Sequence, residues 1–221
     1  GNDFLQNGLF FSRYDNYLSK KFKNFDLERF GINIERDAKI IFSWGRCSVV
    51  KGLRELAYAW KMSAQQLSNH YLILQMPNNS GEPNYFSEVQ NILSNTPRSI
   101  IVDNFNPDIW KTILRNENTD IVCIPSIMDP FPHTSIEAKL FSRGMNFVTM
   151  ISEVDGAVDA FSEDESVYFD PKDIELFSQK IITTANLDQS TKREIIDKNT
   201  TTIGRFDFPI IMRDFIVKNL K

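Results

Sequence analysis

Between residues 39 and 185 the sequence switches back and forth between two periods. Strand-length apolar runs stand at "KIIFSW" (39–44), "YLILQM" (71–76), "SIIV" (99–102), "DIVCIPS" (120–126), "NFVTMI" (146–151) and "SVYFD" (166–170). The stretches between them space their apolar residues by three and four, as one face of a helix does. In "KGLRELAYAWKMSAQQL" (51–67) that face comprises Leu53, Leu56, Ala57, Trp60, Ala64 and Leu67. Further helices are expected over 83–94, from a cap at Asn106 with Pro107 in the first turn, through "SIEAKLFSRG" to a stop at Gly144, and over 171–185. Strands joined through helices by short connections must run parallel, and their near-continuous apolar character means cover on both faces. The fold class is α/β: a Rossmann-like parallel sheet with helices on both faces.

Bulk properties agree. The chain has 221 residues, with 42% hydrophobic and 24% charged, enough for one large domain with a proper core. Two segments lie outside the alternation. Residues 1–35 form an N-terminal extension or linker, aromatic and carrying a basic patch, "SKKFKN", before a short helix, "DLERFGI", that ends at Gly31. Residues 36–205 hold the α/β domain, and 206–221 an amphipathic closing helix. Gly1 in place of an initiator methionine reads as the scar of a cleaved tag, so an excised piece with something ahead of it is expected.

Several classes of function are disfavoured. A net charge of −4 without a basic run does not suit tracking of nucleic-acid phosphates. No apolar run is long enough to span a bilayer, and no signal peptide opens the chain. Cys47 and Cys123 sit in or beside apolar runs and read as reduced and buried; with only two histidines, His70 and His133, no zinc cluster is suggested and no metal is assigned.

Ligands of parallel α/β sheets bind beyond the carboxyl ends of the strands. Two loops emerge there with unusual chemistry. After the first strand, "WGRCSVVKG" (44–52) offers Gly45 for a sharp turn and two cations, Arg46 and Lys51, beside a helix N-terminus, whose free amides and dipole add to their charge. After the fourth, "DPFPHTSIEA" (129–138) places two carboxylates, Asp129 and Glu137, around a stiff polar turn. A cationic pair facing a carboxylate pair suits a ligand with phosphates at one end and hydroxyls at the other, such as a nucleotide sugar. Each residue also has a plainer reading: Asp129 as a turn cap, Arg46 and Lys51 as solvated cations, Glu137 as an exposed helix residue, His133 as a loop residue. Trp44, Trp60 and Trp110 read as packing residues with no ligand role.

Taken together, "IIFSWGRCSVVKGLRELAYAW", "YLILQM", "SIIVDNFNPDIWKTIL" and "DIVCIPSIMDPFPHTSIEAKLFSRGMNFVTMISEVDG" resemble the donor-binding half of retaining glycosyltransferases with the GT-B fold, the glycosyl transferases of group 1. The resemblance covers roughly residues 36–185, and "GRFDFPIIMRDFI" resembles the last helix, which crosses to the partner domain. It implies transfer of a sugar from a UDP- or GDP-linked donor with retention of configuration and without a metal cofactor. Arg46 and Lys51 would hold the diphosphate and neutralise the leaving group, a task a metal performs elsewhere. Glu137 would accept hydrogen bonds from ribose hydroxyls, and Asp129 would lie by the transferred sugar. Asn104 and Phe105 would approach the nucleobase, Ser126 would lie beside the pocket, and Phe131, His133 and Thr134 would offer backbone amides. An acceptor domain of similar size would precede residue 1.

The sequence departs from the pattern in three places. Asp129 stands where a glutamate is usual, a reach shorter by roughly 1.5 Å. Pro130 and Pro132 replace glycines and remove two amide donors. Asp155-Gly156 stands where Gly-Gly is usual after the fifth strand. Those changes favour the reading of a non-catalytic α/β interaction module; a sugar-nucleotide epimerase of related architecture is the other alternative. The abundance of Phe, Ile, Asn and Lys suggests an AT-rich bacterial gene and hence cell-surface polysaccharide synthesis. Lack of an export signal suggests the cytoplasm, with any contact at the inner membrane face made through the absent half.

Overall fold

A computed structural model describes residues 11–78, 82–129, 133–153, 158, 160–161, 164–201 and 203–207. Phe131 with Pro130 and Pro132, Asp155-Gly156 and residues 208–221 of the expected closing helix lie outside the described residues.

The six strands form where the apolar runs predict: β1 (Lys39–Trp44), β2 (His70–Gln75), β3 (Ser99–Val102), β4 (Thr119–Ile124), β5 (Val148–Ser152) and β6 (Val167–Phe169). They make one sheet in the order β3-β2-β1-β4-β5-β6, and every pairing is parallel. The first four crossovers are helical: α2 (Leu53–Ser63), α3 (Pro83–Ser94), α4 (Pro107–Leu114) and α5 (His133–Phe141); α6 (Ile174–Ala185) and α7 (Gln189–Thr201) follow β6, and a short α1 (Asp15–Leu18) lies ahead of the sheet. No helix among the described residues is long and apolar enough to cross a membrane.

Alternation along the strands divides the core between the two faces. Ile40, Phe42 and Trp44 of β1 pack with α4 and α5 on one side; Ile41 of β1, with Leu72 and Leu74 of β2, packs with α2, α3 and α6 on the other. Leu27 and Ile32, from the segment before β1, are buried in the first of these clusters.

Local signals act as expected at several ends. Asn106 caps α4 by accepting from the Asp108 amide at 2.9 Å, and Gly31 and Gly144 take left-handed φ values of 75° and 69° at helix ends. The helix expected over 51–67 is shorter, because Gly52 at φ 64° delays its start and it is capped at Ala64. The helix expected from Pro171 begins at Ile174, where Asp173 caps it by accepting from the Leu176 amide at 3.0 Å.

The helix α7 has no counterpart in the sequence reading. Its residues are mostly polar, and apart from the buried Ile196 what seats it is polar too. Lys192, 3% exposed, donates to both carboxylate oxygens of Asp120 at 2.7 and 2.8 Å, and His70 Nε2 lies 3.1 Å from the same carboxylate. Asn199 donates to the Ser142 hydroxyl at 3.3 Å. Anchorage by buried polar pairs leaves no apolar stripe to read. Both cysteines are free and buried, and burial pushes the Cys123 thiol pKa well up.

Candidate functional site

Strand order reverses between β1 and β4, and the helices that follow them leave on opposite faces: α2 with the second core cluster, α5 with the first. That divergence opens a crevice at the carboxyl edge, where ligands of such sheets bind. The loops after β1 and β4 are stitched together there. The Ile127 amide donates to the Val50 carbonyl at 2.9 Å. Gly52 lies so close to Pro125 that an added Cβ would fall 1.7 Å from its carbonyl oxygen. The Lys51 ammonium and the Asp129 carboxylate form an ion pair across the two loops.

The cleft encloses about 360 Å³ and is lined by Gly45, Arg46, Lys51, Phe105, His133, Thr134 and Glu137 of the residues singled out in the sequence. Three others stand apart from the lining. Asp129 meets the site through Lys51. Asn104 has an exposed side chain and a backbone carbonyl that accepts from Gln75 Nε2 at 2.8 Å. Ser126 is 2% exposed and does not line the cleft.

The structure adds Trp44, Gln75, Pro77, Pro107 and Trp110 to the lining. The assignment of all three tryptophans to packing alone is therefore corrected for two of them. Trp60 is fully buried and donates to the Ser99 hydroxyl at 3.0 Å. Trp44, however, stacks between Phe42 (5.3 Å, 6°) and Trp110 (5.6 Å, 10°), and this column surfaces as part of the cleft wall. The available signal was position: Trp44 is the last residue of a strand at the ligand edge. Trp110 carries no such mark, since only the packing of α4 brings it alongside. Gln75 braces the wall, its amide also donating to the Asn106 carbonyl at 2.9 Å.

Charge is distributed unevenly. Arg46 is exposed at the rim, whereas Lys51 is half-buried with its anion. Glu137, on α5, accepts from the Tyr14 hydroxyl at 3.2 Å. Burial raises its carboxyl pKa from an ordinary 4.5 to about 7, against the opposing pull of hydrogen bonds from Tyr14 and Trp44 and of the Lys111 and Lys51 charges. Folding therefore takes up a proton here between those two values, and stability falls as pH rises through that window. Thermal melts of wild type and Glu137→Gln, compared from about pH 4.5 to about pH 8, are expected to show wild type losing ground steadily and then levelling. A constant offset would show that the carboxyl titrates normally.

A wholly parallel sheet in this order, with helices on both faces and a cleft where the order reverses, defines a Rossmann-like α/β domain, the architecture of one half of a GT-B glycosyltransferase. The chain belongs to the family of glycosyl transferases group 1, which it matches over residues 24–202. No curated protein matches it by sequence. Among solved structures it is similar to the N-terminal domain of trehalose-6-phosphate phosphatase from Candida albicans (TM-score 0.80, 16% identity, 98% of this chain and 49% of that one). It is likewise similar to a glycosyltransferase from Rickettsia africae (0.79, 18%, 97% and 55%). A third, a trehalose-6-phosphate structure from E. coli bound with UDP-2-fluoro glucose, aligns with a TM-score of 0.76 at 13% identity over 96% of this chain and 50% of that one. The chain thus spans about half the length of these structures, and at such identities the likeness is one of fold.

Proposed function

We propose that the cleft binds the nucleotide-diphosphate end of a sugar donor, and that the enzyme to which this chain contributes transfers the sugar to an acceptor with retention of configuration. One observation carries the reading: two cations from the loop after β1 and a carboxylate from α5 face one cleft, at the point where strand order reverses. A volume of about 360 Å³ lies in the range of small-molecule sites. It suits a nucleoside diphosphate whose sugar projects toward the open side.

The residues divide the work by charge and reach. Arg46 at the rim offers a planar fork of donors to phosphate oxygens. Lys51 has three donors, so its ammonium can keep Asp129 and still meet a phosphate oxygen, supplying without a metal the positive charge that a departing diphosphate needs. Glu137 in its ionised form accepts hydrogen bonds from ribose hydroxyls. Asp129, held by Lys51, stands toward the sugar, and the aromatic wall with Phe105 and the backbone of Asn104 receives the base. The amides of His133 and Thr134 serve the phosphate subsite, a role the family resemblance extends to Phe131, and Ser126 remains buried. An acceptor-binding domain is expected in the remainder of the enzyme, because the similar solved structures are about twice as long. The abundance of Phe, Ile, Asn and Lys favours a bacterial enzyme of polysaccharide synthesis.

Titration with UDP-glucose and GDP-glucose, followed by amide chemical shifts, is expected to move the resonances of residues 44–52 and 133–137 with one of the two. The E. coli structure bound with UDP-2-fluoro glucose supports trying UDP first. Arg46→Ala should weaken that binding about tenfold, the size of one lost charge-assisted hydrogen bond. A folded wild-type protein silent to both donors would overturn the reading.

A further inference from the structure

Glu137 does not stand alone in the cleft, and its partner comes from an unexpected part of the chain. The Tyr14 hydroxyl, 123 positions away in sequence, donates to Glu137 Oε1 at 3.2 Å. The tyrosine is well braced for that contact. Its ring meets Phe141 edge-on at 5.6 Å and Trp110 at 6.1 Å, and the Lys111 ammonium lies 5.8 Å from its centre. The segment that carries it is tied down on both sides: the Tyr17 hydroxyl bonds to Asp108, and the Arg115 guanidinium donates to the Lys20 carbonyl at 2.9 Å. Farther along, the Phe22 amide donates to the Arg115 carbonyl at 2.8 Å and the Glu117 amide to the Phe22 carbonyl at 2.9 Å.

We propose that Tyr14 is a positioning residue of this site: its hydroxyl holds the Glu137 carboxyl toward the cleft, so that the carboxylate can accept hydrogen bonds from a bound ligand. The inference deepens the donor-binding reading above and rests on it. A neutral donor is the appropriate device. A cation in the same place would form a closed ion pair and compete with the ligand, whereas a phenol occupies one lone pair of one oxygen and leaves the rest of the carboxylate to accept. Burial keeps the phenol protonated, raising its own pKa well beyond the ordinary value. The other charges acting on Glu137 are Lys51, from the loop after β1, and Lys111, from α4; Arg46 and His133 line the same cleft.

Tyr14→Phe separates this role from packing, because it keeps the ring and removes only the donor. Two readouts are needed. In the first, the Glu137 carboxyl carbon is titrated by NMR in both proteins without ligand. The midpoint is expected to move upward in Tyr14→Phe by about one pH unit, the effect of losing one hydrogen bond to the charged form. In the second, UDP and GDP are titrated at about pH 7 and at about pH 9. The nucleotide that binds wild type should bind Tyr14→Phe about fivefold more weakly at the lower pH and equally at the higher, where both carboxyls are ionised. In a Glu137→Gln background the same substitution should change binding at neither pH. Identical carboxyl midpoints in wild type and Tyr14→Phe would overturn the inference and reduce Tyr14 to a packing residue. A moved midpoint in proteins that bind neither nucleotide would establish the contact and sink the donor-binding reading instead.

Discussion

Lys139→Met is expected to cost about 3–5 kcal/mol of folding stability, and a second substitution, Glu165→Gln, to recover most of it. Lys139 lies on α5, two residues after Glu137, and is fully buried. Its ammonium donates to Glu165 at 2.8 Å and to the Ala160 carbonyl at 2.9 Å, with the rings of Phe161 and Phe206 at 5.0 and 5.8 Å. Glu165 is itself only 3% exposed. Methionine fills much the same space, so the expected loss comes from taking the ammonium's charge and hydrogen bond away from a buried carboxylate, not from a cavity. Replacing the carboxylate by an amide removes that cost, which is why the double variant should rise above the single one. Urea unfolding of wild type, both single variants and the double variant measures the cycle. A Lys139→Met protein with the wild-type midpoint would show that Glu165 is solvated or satisfied without the lysine. The pair also links α5, which carries Glu137, to the segment after β5, so nucleotide binding should fall with the single variant and return with the double.

Gly52→Ala should be the most damaging small substitution near the cleft. Two costs add. A left-handed φ of 64° disfavours any side chain by about 1–2 kcal/mol. The new Cβ would also lie 1.7 Å from the Pro125 carbonyl oxygen and 2.8 Å from its carbon, both backbone atoms that cannot swing aside. The loops after β1 and β4 must then part, with loss of the Ile127–Val50 hydrogen bond and displacement of Lys51 from Asp129. Gly31→Ala and Gly144→Ala are the controls, since both positions have positive φ and nothing within 4 Å of an added Cβ. They should lose only the conformational cost, while Gly52→Ala loses at least about 2 kcal/mol more and drops nucleotide binding beyond tenfold. Equal losses at the three glycines would show that the loop junction is slack.

Much of this arrangement was legible in residues close together in the chain. Apolar runs and three-four spacing located all six strands and the helices α2 to α6, and parallel topology followed because helices separate the strands. The glycine-arginine and lysine-glycine pairs after β1, and the acids after β4, were recognisable because backbone constraint and charge clustering are local facts. Of the residues chosen on those grounds Gly45, Arg46, Lys51 and Glu137 line the cleft, and Phe105, His133 and Thr134, indicated by the family resemblance, line it too.

What escaped the sequence reading has a common character. The helix α7 is seated by Lys192 on Asp120, Glu137 is met by Tyr14, and Lys139 is sunk in the core against Glu165. Each depends on two polar groups that lie far apart in the chain and meet only after the sheet has formed. Periodicity reports which face of an element is apolar; it carries no information about which distant charge will neutralise a buried one. A lysine on a helix reads as solvated until a carboxylate is found beside it, and a tryptophan at a strand end reads as core until the neighbouring helix leaves one edge of its ring bare. Secondary structure and topology follow from the chain's local pattern, whereas burial of charge and the exposed wall of the cleft follow from packing, because the partners are chosen by proximity in space.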